Sequence, residues 1–184
     1  MHTGKIKDHS LNIYGCEHVI DIIKQLCKLL LSAKRFEQVF DKFKFISVKN
    51  GDVKTIQGMD VRFFDVIAKE PHFGFDINNN FLVFASDRPL HTDNYEKFKN
   101  CNWLLHEAYC IDGEKDTFKP HDKNHCTVKE ASIVAKTLNA KNLVMWHTED
   151  SSLGTRKGRY TKEAKEHFDG NIFVPSDLDV ITVM

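Results

Sequence analysis

The chain has 184 residues, with 26 Lys+Arg balanced by 26 Asp+Glu, 41% hydrophobic and 28% charged residues. This is the profile of one soluble globular domain with enough apolar material for a core. Zero formal net charge excludes a broad electrostatic field, and with it general coating of nucleic acid or adhesion to an anionic membrane.

The opening, Met1 to Ser10, is polar, and the most apolar window, Val19 to Leu31, is broken by Asp21, Lys24, Gln25 and Lys28. Neither a signal peptide nor a membrane span is expected. Five scattered cysteines (Cys16, Cys27, Cys101, Cys110, Cys126) contain no C-x-x-C pair, which argues against a disulfide framework and for a reducing, cytoplasmic setting. With no repeat or linker, residues 1–184 read as a single domain.

In chain order, Leu11 to Tyr14 reads as a short strand, and Cys16 to about Ala33 as an amphipathic helix through Val19, Ile20, Ile22, Ile23, Leu26, Leu29 and Leu30. Phe43 to Val48, Val53 to Ile56 and Val61 to Ala68, separated by turns at Asn50-Gly51-Asp52 and Gly58, read as a β meander. Phe73 to Ile77 and Phe81 to Ala85 flank Asn78-Asn79-Asn80 as a hairpin. From Tyr95 the predicted order is helix, strand (Trp103 to Leu105), helix, strand (Leu143 to Trp146). A short helix over Thr161 to Phe168 and strands at Asn171 to Val174 and Val180 to Val183 follow. The class is α/β.

Three of these strands end in residues unsuited to a core: Asp87, then His106 and Glu107, then His147. Each alone could simply begin a loop, but binding sites in α/β proteins form at such strand ends. Thr127 and Glu130 have the spacing of a capping box, so His125 stands just before a helix N-terminus. A helix over Val128 to Asn139 runs about 18 Å outward and a strand over Asn142 to His147 about 17 Å back. The two paths cancel, which brings His125 and His147 to one sheet edge. An acid, a glutamate and histidines converging there fit metal-assisted hydrolysis or general acid/base chemistry, and spacing does not separate the two. Arg156, Lys157 and Arg159 read as a solvated Gly-flanked loop, Cys126 as a packed thiol, and Trp103 and Trp146 as core.

At these residues the sequence resembles a known family. Asn102-Trp103-Leu104-Leu105-His106-Glu107-Ala108, Phe118-Lys119-Pro120, His125 with Thr127-Val128-Lys129, and Lys141-Asn142-Leu143-Val144 ending in His147-Thr148-Glu149-Asp150 are similar to the C-terminal half of metallo-β-lactamase-fold hydrolases of the ribonuclease Z-like group. Phe63-Phe64-Asp65, Phe73-Gly74-Phe75 and Tyr160-Thr161 with Glu163 fit the same pattern. The resemblance implies an αββα sandwich, two zinc ions and a phosphodiester-type substrate. It implies Asp87 as a metal-bridging carboxylate, His147 as the last histidine ligand, His125 as a proton-transfer residue and Glu107 as a residue orienting either a ligand or His125. His72 is either a further ligand or a loop residue beside Pro71.

The family's N-terminal H-x-H-x-D-H motif does not occur in this chain; Asp8-His9 matches only its tail. By resemblance the sequence is expected to begin inside the family's fold, so that the chain alone lacks most metal ligands. The alternative function is a non-catalytic remnant or interaction module retaining the second half of the fold. Strands such as Val61 to Ala68 and Phe81 to Ala85 are then expected to show an apolar face, covered by a second copy or a partner.

Overall fold

A computed structural model describes residues 10–66, 68 and 71–183. Asp8-His9 and Ile67, part of the predicted strand Val61 to Ala68, lie outside the described residues. The chain divides into two compact units, Met1–Asn50 and Gly51–Met184.

In the first unit, strand β1 (Leu11–Gly15) pairs in parallel with β2 (Phe43–Ser47). Between them run α1 (Glu17–Leu30) and α2 (Ala33–Phe40). β2 therefore belongs to a two-stranded parallel sheet and not to the meander predicted for it. The predicted long helix stops at Leu30, and Ser32, in extended conformation, starts a second one.

The second unit is built on a seven-stranded sheet in chain order: β3 (Val53–Ile56), β4 (Met59–Asp65), β5 (Phe73–Ile77), β6 (Leu82–Phe84), β7 (Trp103–Glu107), β8 (Asn142–Trp146) and β9 (Asn171–Phe173). β3 to β6 are antiparallel and β6 to β9 parallel. The change has a simple cause. Tight turns at Gly58 and at Asn78-Asn79-Asn80, all in left-handed conformation, permit hairpins, whereas parallel strands need long crossovers. Two crossovers carry α4 (Val128–Thr137) and α5 (Arg156–Lys165), and a single turn of helix, α3 (Lys115–Phe118), precedes α4.

One sheet face, through Val83, Ala85, Leu104, Leu143 and Met145, packs against Val128, Ala131, Val134, Ala135 and Leu138 of α4 and Tyr160 and Ala164 of α5 in one core cluster. The predicted capping box forms, with the Glu130 N–H donating to Thr127 Oγ1 at 3.3 Å and the Thr127 N–H to Glu130 Oε2 at 2.8 Å. On other strand positions an aromatic row runs Phe75, Phe84, Trp146, with centroids 4.9 and 5.0 Å apart, and Trp103 meets Phe173 at 5.2 Å.

Several expectations need correction. Val61, Phe63 and Phe64 are buried and Phe81, Leu82 and Phe84 half-buried, so these strands do not present the open apolar face expected of them. Between Tyr95 and Trp103 there is no helix, only turns following a 3-10 turn at Thr92–Asn94. Val180 to Val183 is not a strand. α5 begins at Arg156 because its first turn is tied down: the buried Arg156 guanidinium donates to the Glu149 carbonyl, and Arg159 pairs with Glu114. These two arginines are structural and not part of a solvated loop.

Gly74 is required by close approach. A Cβ there would lie 2.4 Å from the Phe64 ring and 2.6 Å from the Phe84 carbonyl oxygen. Backbone on one side leaves no room to yield, so Gly74→Ala is expected to destabilise the second unit by about 1–3 kcal/mol. Urea unfolding followed by tryptophan fluorescence reads this directly, since Trp103 and Trp146 both lie in that unit.

Candidate functional site

The strand register decides where the polar residues meet. Phe84 of β6 lies opposite Leu105 of β7, Glu107 of β7 opposite Trp146 of β8, and antiparallel Phe75 of β5 opposite Phe84. The C-terminal ends of β6, β7 and β8 and the N-terminal end of β5 therefore share one edge. His72, Asp87, Glu107 and His147 all stand there, and the capped start of α4 adds His125.

The side chains meet in linked pairs. His72 Nε2 is 2.8 Å from Asp87 Oδ1 and 2.5 Å from Ser86 Oγ. His125 Nδ1 is 3.6 Å from Glu107 Oε2. The rings of His125 and His147 lie 4.9 Å apart, which is the juxtaposition that the outward and return path lengths predict. Two strand ends turn through left-handed backbone to deliver these groups, Ser86 at φ 66° and His147 at φ 54°. Neither is glycine, and such conformations concentrate where function fixes a side chain.

Electrostatics separate the acids from the bases. The Glu107 carboxyl, wholly buried, is pushed up to about 8 by burial, against the Cys126 N–H that donates to Oε1 at 2.5 Å and against nearby Arg88. His125 is held below its ordinary value first by burial and then by His147 and Arg88, with Asp87 opposing. Among the described residues Glu107 Oε2 and His125 Nδ1 are buried without a hydrogen-bond partner, while Asp87 Oδ1 has only the His72 imidazole beside it. The first two face each other just beyond hydrogen-bond length. A small closure would join them in a carboxyl–imidazole bond, and catalytic hydrogen bonds are often long in unliganded structures.

His106 is elsewhere. Fully buried, it accepts the Leu90 N–H at Nε2 (3.0 Å), and its Nδ1 donates to the Glu107 carbonyl at 2.7 Å. Burial drives its pKa to about 4, so it is a neutral bracket beneath the site. Cys126 is equally inert, since burial raises its thiol far above the ordinary range. Arg88 and Tyr109 are the residues that sequence reasoning missed. Arg88 Nη1 donates to the Lys123 carbonyl at 2.6 Å, and Tyr109 stacks on His125. Position past a strand end was the available signal for both.

As donors, His72 and Asp87 offer an imidazole nitrogen and a carboxylate oxygen at one point, a combination that zinc accepts. They fit one side of a metal site. Among the described residues no group of three or more His, Cys, Asp or Glu side chains is placed to hold an ion. None of the described helices is long and apolar enough to cross a membrane, and all five cysteines are free thiols.

Comparison with known proteins agrees with this fold. No family model matches the sequence. A ribonuclease Z of Halorubrum lacusprofundi is 33% identical over 102 residues, which is 55% of this chain and 32% of that protein. The matched stretch is thus about a third of the relative's length. Among solved structures, human tRNase Z, short form, superposes with a TM-score of 0.68 at 18% identity, covering 97% of this chain and 69% of that one. The metallo-β-lactamase fold protein YhfI of Bacillus subtilis gives 0.66 at 19%, covering 91% and 63%.

Proposed function

For a chain of metallo-β-lactamase fold that belongs with the ribonuclease Z-like hydrolases, we propose that the edge carrying His72, Asp87, Glu107, His125 and His147 is one side of a zinc-dependent phosphodiesterase site. The observation that carries this reading is the His72–Asp87 pair, with Nε2 2.8 Å from Oδ1 at this edge. An imidazole nitrogen and a carboxylate oxygen converging on one point are a donor combination that zinc accepts.

Asp87 has two oxygens and can serve two cations; His147 and His72 would add one nitrogen each. Zinc held there would supply Lewis-acid chemistry, lowering the pKa of a water toward 7. His125, unligated, gives its proton to the departing alkoxide, and Glu107, 3.6 Å from Nδ1, would hold the ring once the pair closes to hydrogen-bond length. The substrate is a phosphodiester.

A second reading has its own support in the lack of any three-donor group among the described residues. Here the chain acts as a non-catalytic module, or completes a site with donors from a second copy or a partner. Zinc stoichiometry separates the two. After dialysis against a mild chelator, the 184-residue chain is expected to retain less than one zinc. Two tightly held ions per chain would show a full donor set, with His9 the first candidate. Hydrolysis of bis(p-nitrophenyl) phosphate by the chain alone is expected near background. Activity restored by an H-x-H-x-D-H segment of a ribonuclease Z supports the phosphodiesterase reading, and failure to restore it supports the module.

A further inference from the structure

Tyr109 stands two residues beyond Glu107, past the end of β7, between the loops that deliver the two histidines. Its backbone bonds to both loops. The Tyr109 N–H donates to the Cys126 carbonyl at 2.9 Å, one residue after His125, and its carbonyl accepts the Glu149 N–H at 2.8 Å, two residues after His147. That carbonyl also accepts the hydroxyl of fully buried Tyr160 at 2.6 Å. Tyr109 is therefore fixed from both sides before its ring makes any contact.

The ring lies nearly parallel to His125, with centroids 5.2 Å apart and planes 12° apart, and 6.5 Å from the ring of His147. Phe118 meets it edge-on at 6.3 Å, and the Lys123 ammonium lies 5.8 Å from its centre. The contacts thus draw on the segment before α4 as well as on both histidine loops. His125 needs such a support. Its Nδ1 has no hydrogen-bond partner among the described residues. An imidazole with one nitrogen untied can rock, and a stacked ring removes that freedom.

We infer that Tyr109 is a positioning residue, an aromatic platform that sets the plane of His125 and its separation from His147. The inference rests on the roles given to those histidines under the proposed function, but the geometry it claims is measurable without any reaction. Aromatic NMR of the full chain with labelled histidine, assigned through His125→Gln and His147→Gln, supplies the readout. The ring protons of His125 are expected upfield in the native chain, with cross-relaxation to the Tyr109 ring. Tyr109→Phe keeps both signatures, and Tyr109→Leu loses the upfield shift and moves the His147 signals. Native-chain spectra without Tyr109–His125 cross-relaxation overturn the proposal even if the leucine variant does not fold. So does a folded Tyr109→Leu chain with unmoved histidine signals.

In the chain complemented with the H-x-H-x-D-H segment, Tyr109→Leu should lower kcat about 10²-fold at nearly unchanged KM, with Tyr109→Phe close to native, because misplacement of a reacting group costs rate and not affinity. Histidine shifts that respond to Tyr109 in a protein without hydrolysis would leave the platform standing and remove the proposed function. Hydrolysis that depends on Asp87 while the histidine signals ignore Tyr109 would do the reverse.

Discussion

Hydrolysis of bis(p-nitrophenyl) phosphate by the complemented chain is expected to fall on the order of 1,000-fold when Asp87 is replaced by Ala, with zinc content falling in parallel. The size follows from what the side chain holds. Groups that stabilise developing charge in a dry site are each worth about 10²–10³ in rate, and under the proposed bridging role the loss of Asp87 would remove both cations. Asp87 stands at 2.8 Å from His72 Nε2, on a backbone turned by Ser86 into left-handed conformation. His125→Ala should behave differently. Loss of a general acid costs about 10²–10⁴ in turnover, while the zinc bound should scarcely change, because His125 is proposed as a proton carrier. Elemental analysis beside the rate distinguishes the two patterns. An Asp87→Ala enzyme that keeps full activity rules out the bridging role, and a His125→Ala enzyme that loses zinc makes His125 a ligand.

What the sequence exposed of this arrangement follows from which physical signals are local. β3 and β5 match their predicted limits because alternation and flanking turn residues act within a few positions. The capping box at Thr127 was readable for the same reason, and the strand register then converted equal path lengths into adjacent rings of His125 and His147. α2 was missed because Ala33–Phe40 carries only Phe36, Val39 and Phe40 as apolar periodic positions among charges. α5 was placed late because Gly158 reads as a breaker, whereas the tie from Arg156 to the Glu149 carbonyl holds its first turn. At the site, residue type located the acids and the histidines. The roles of Tyr109, Arg88 and His106 depend on contacts between distant segments, and the left-handed backbone at His147 has no local signature at all.

Stability of the second unit should depend on pH through two adjacent buried groups of opposite sign. His106 titrates near its ordinary 6.5 when unfolded and at about 4 when folded. Between those values the unfolded chain binds the extra proton, so stability rises with pH from 4 to 6.5 by on the order of 3 kcal/mol. Glu107 titrates near 4.5 unfolded and at about 8 folded, with Cys126, Arg88, His125 and Asp87 around it. Here the folded chain binds the extra proton, so stability falls from pH 4.5 to 8 by on the order of 5 kcal/mol. The two slopes oppose each other between pH 4.5 and 6.5 and nearly cancel there, leaving a net loss of about 2 kcal/mol between pH 6.5 and 8 from this pair. Glu107→Gln, whose amide oxygen can still accept the Cys126 N–H, should unmask the histidine: its stability climbs from pH 4 to 6.5 and then stays level to 8. Urea titrations at pH 4.5, 6.5 and 8, followed by the fluorescence of Trp103 and Trp146, measure the difference between the two proteins. Parallel profiles would mean that Glu107 is ionised in the folded chain at neutral pH, and that a cation or a protonated His125 already compensates it.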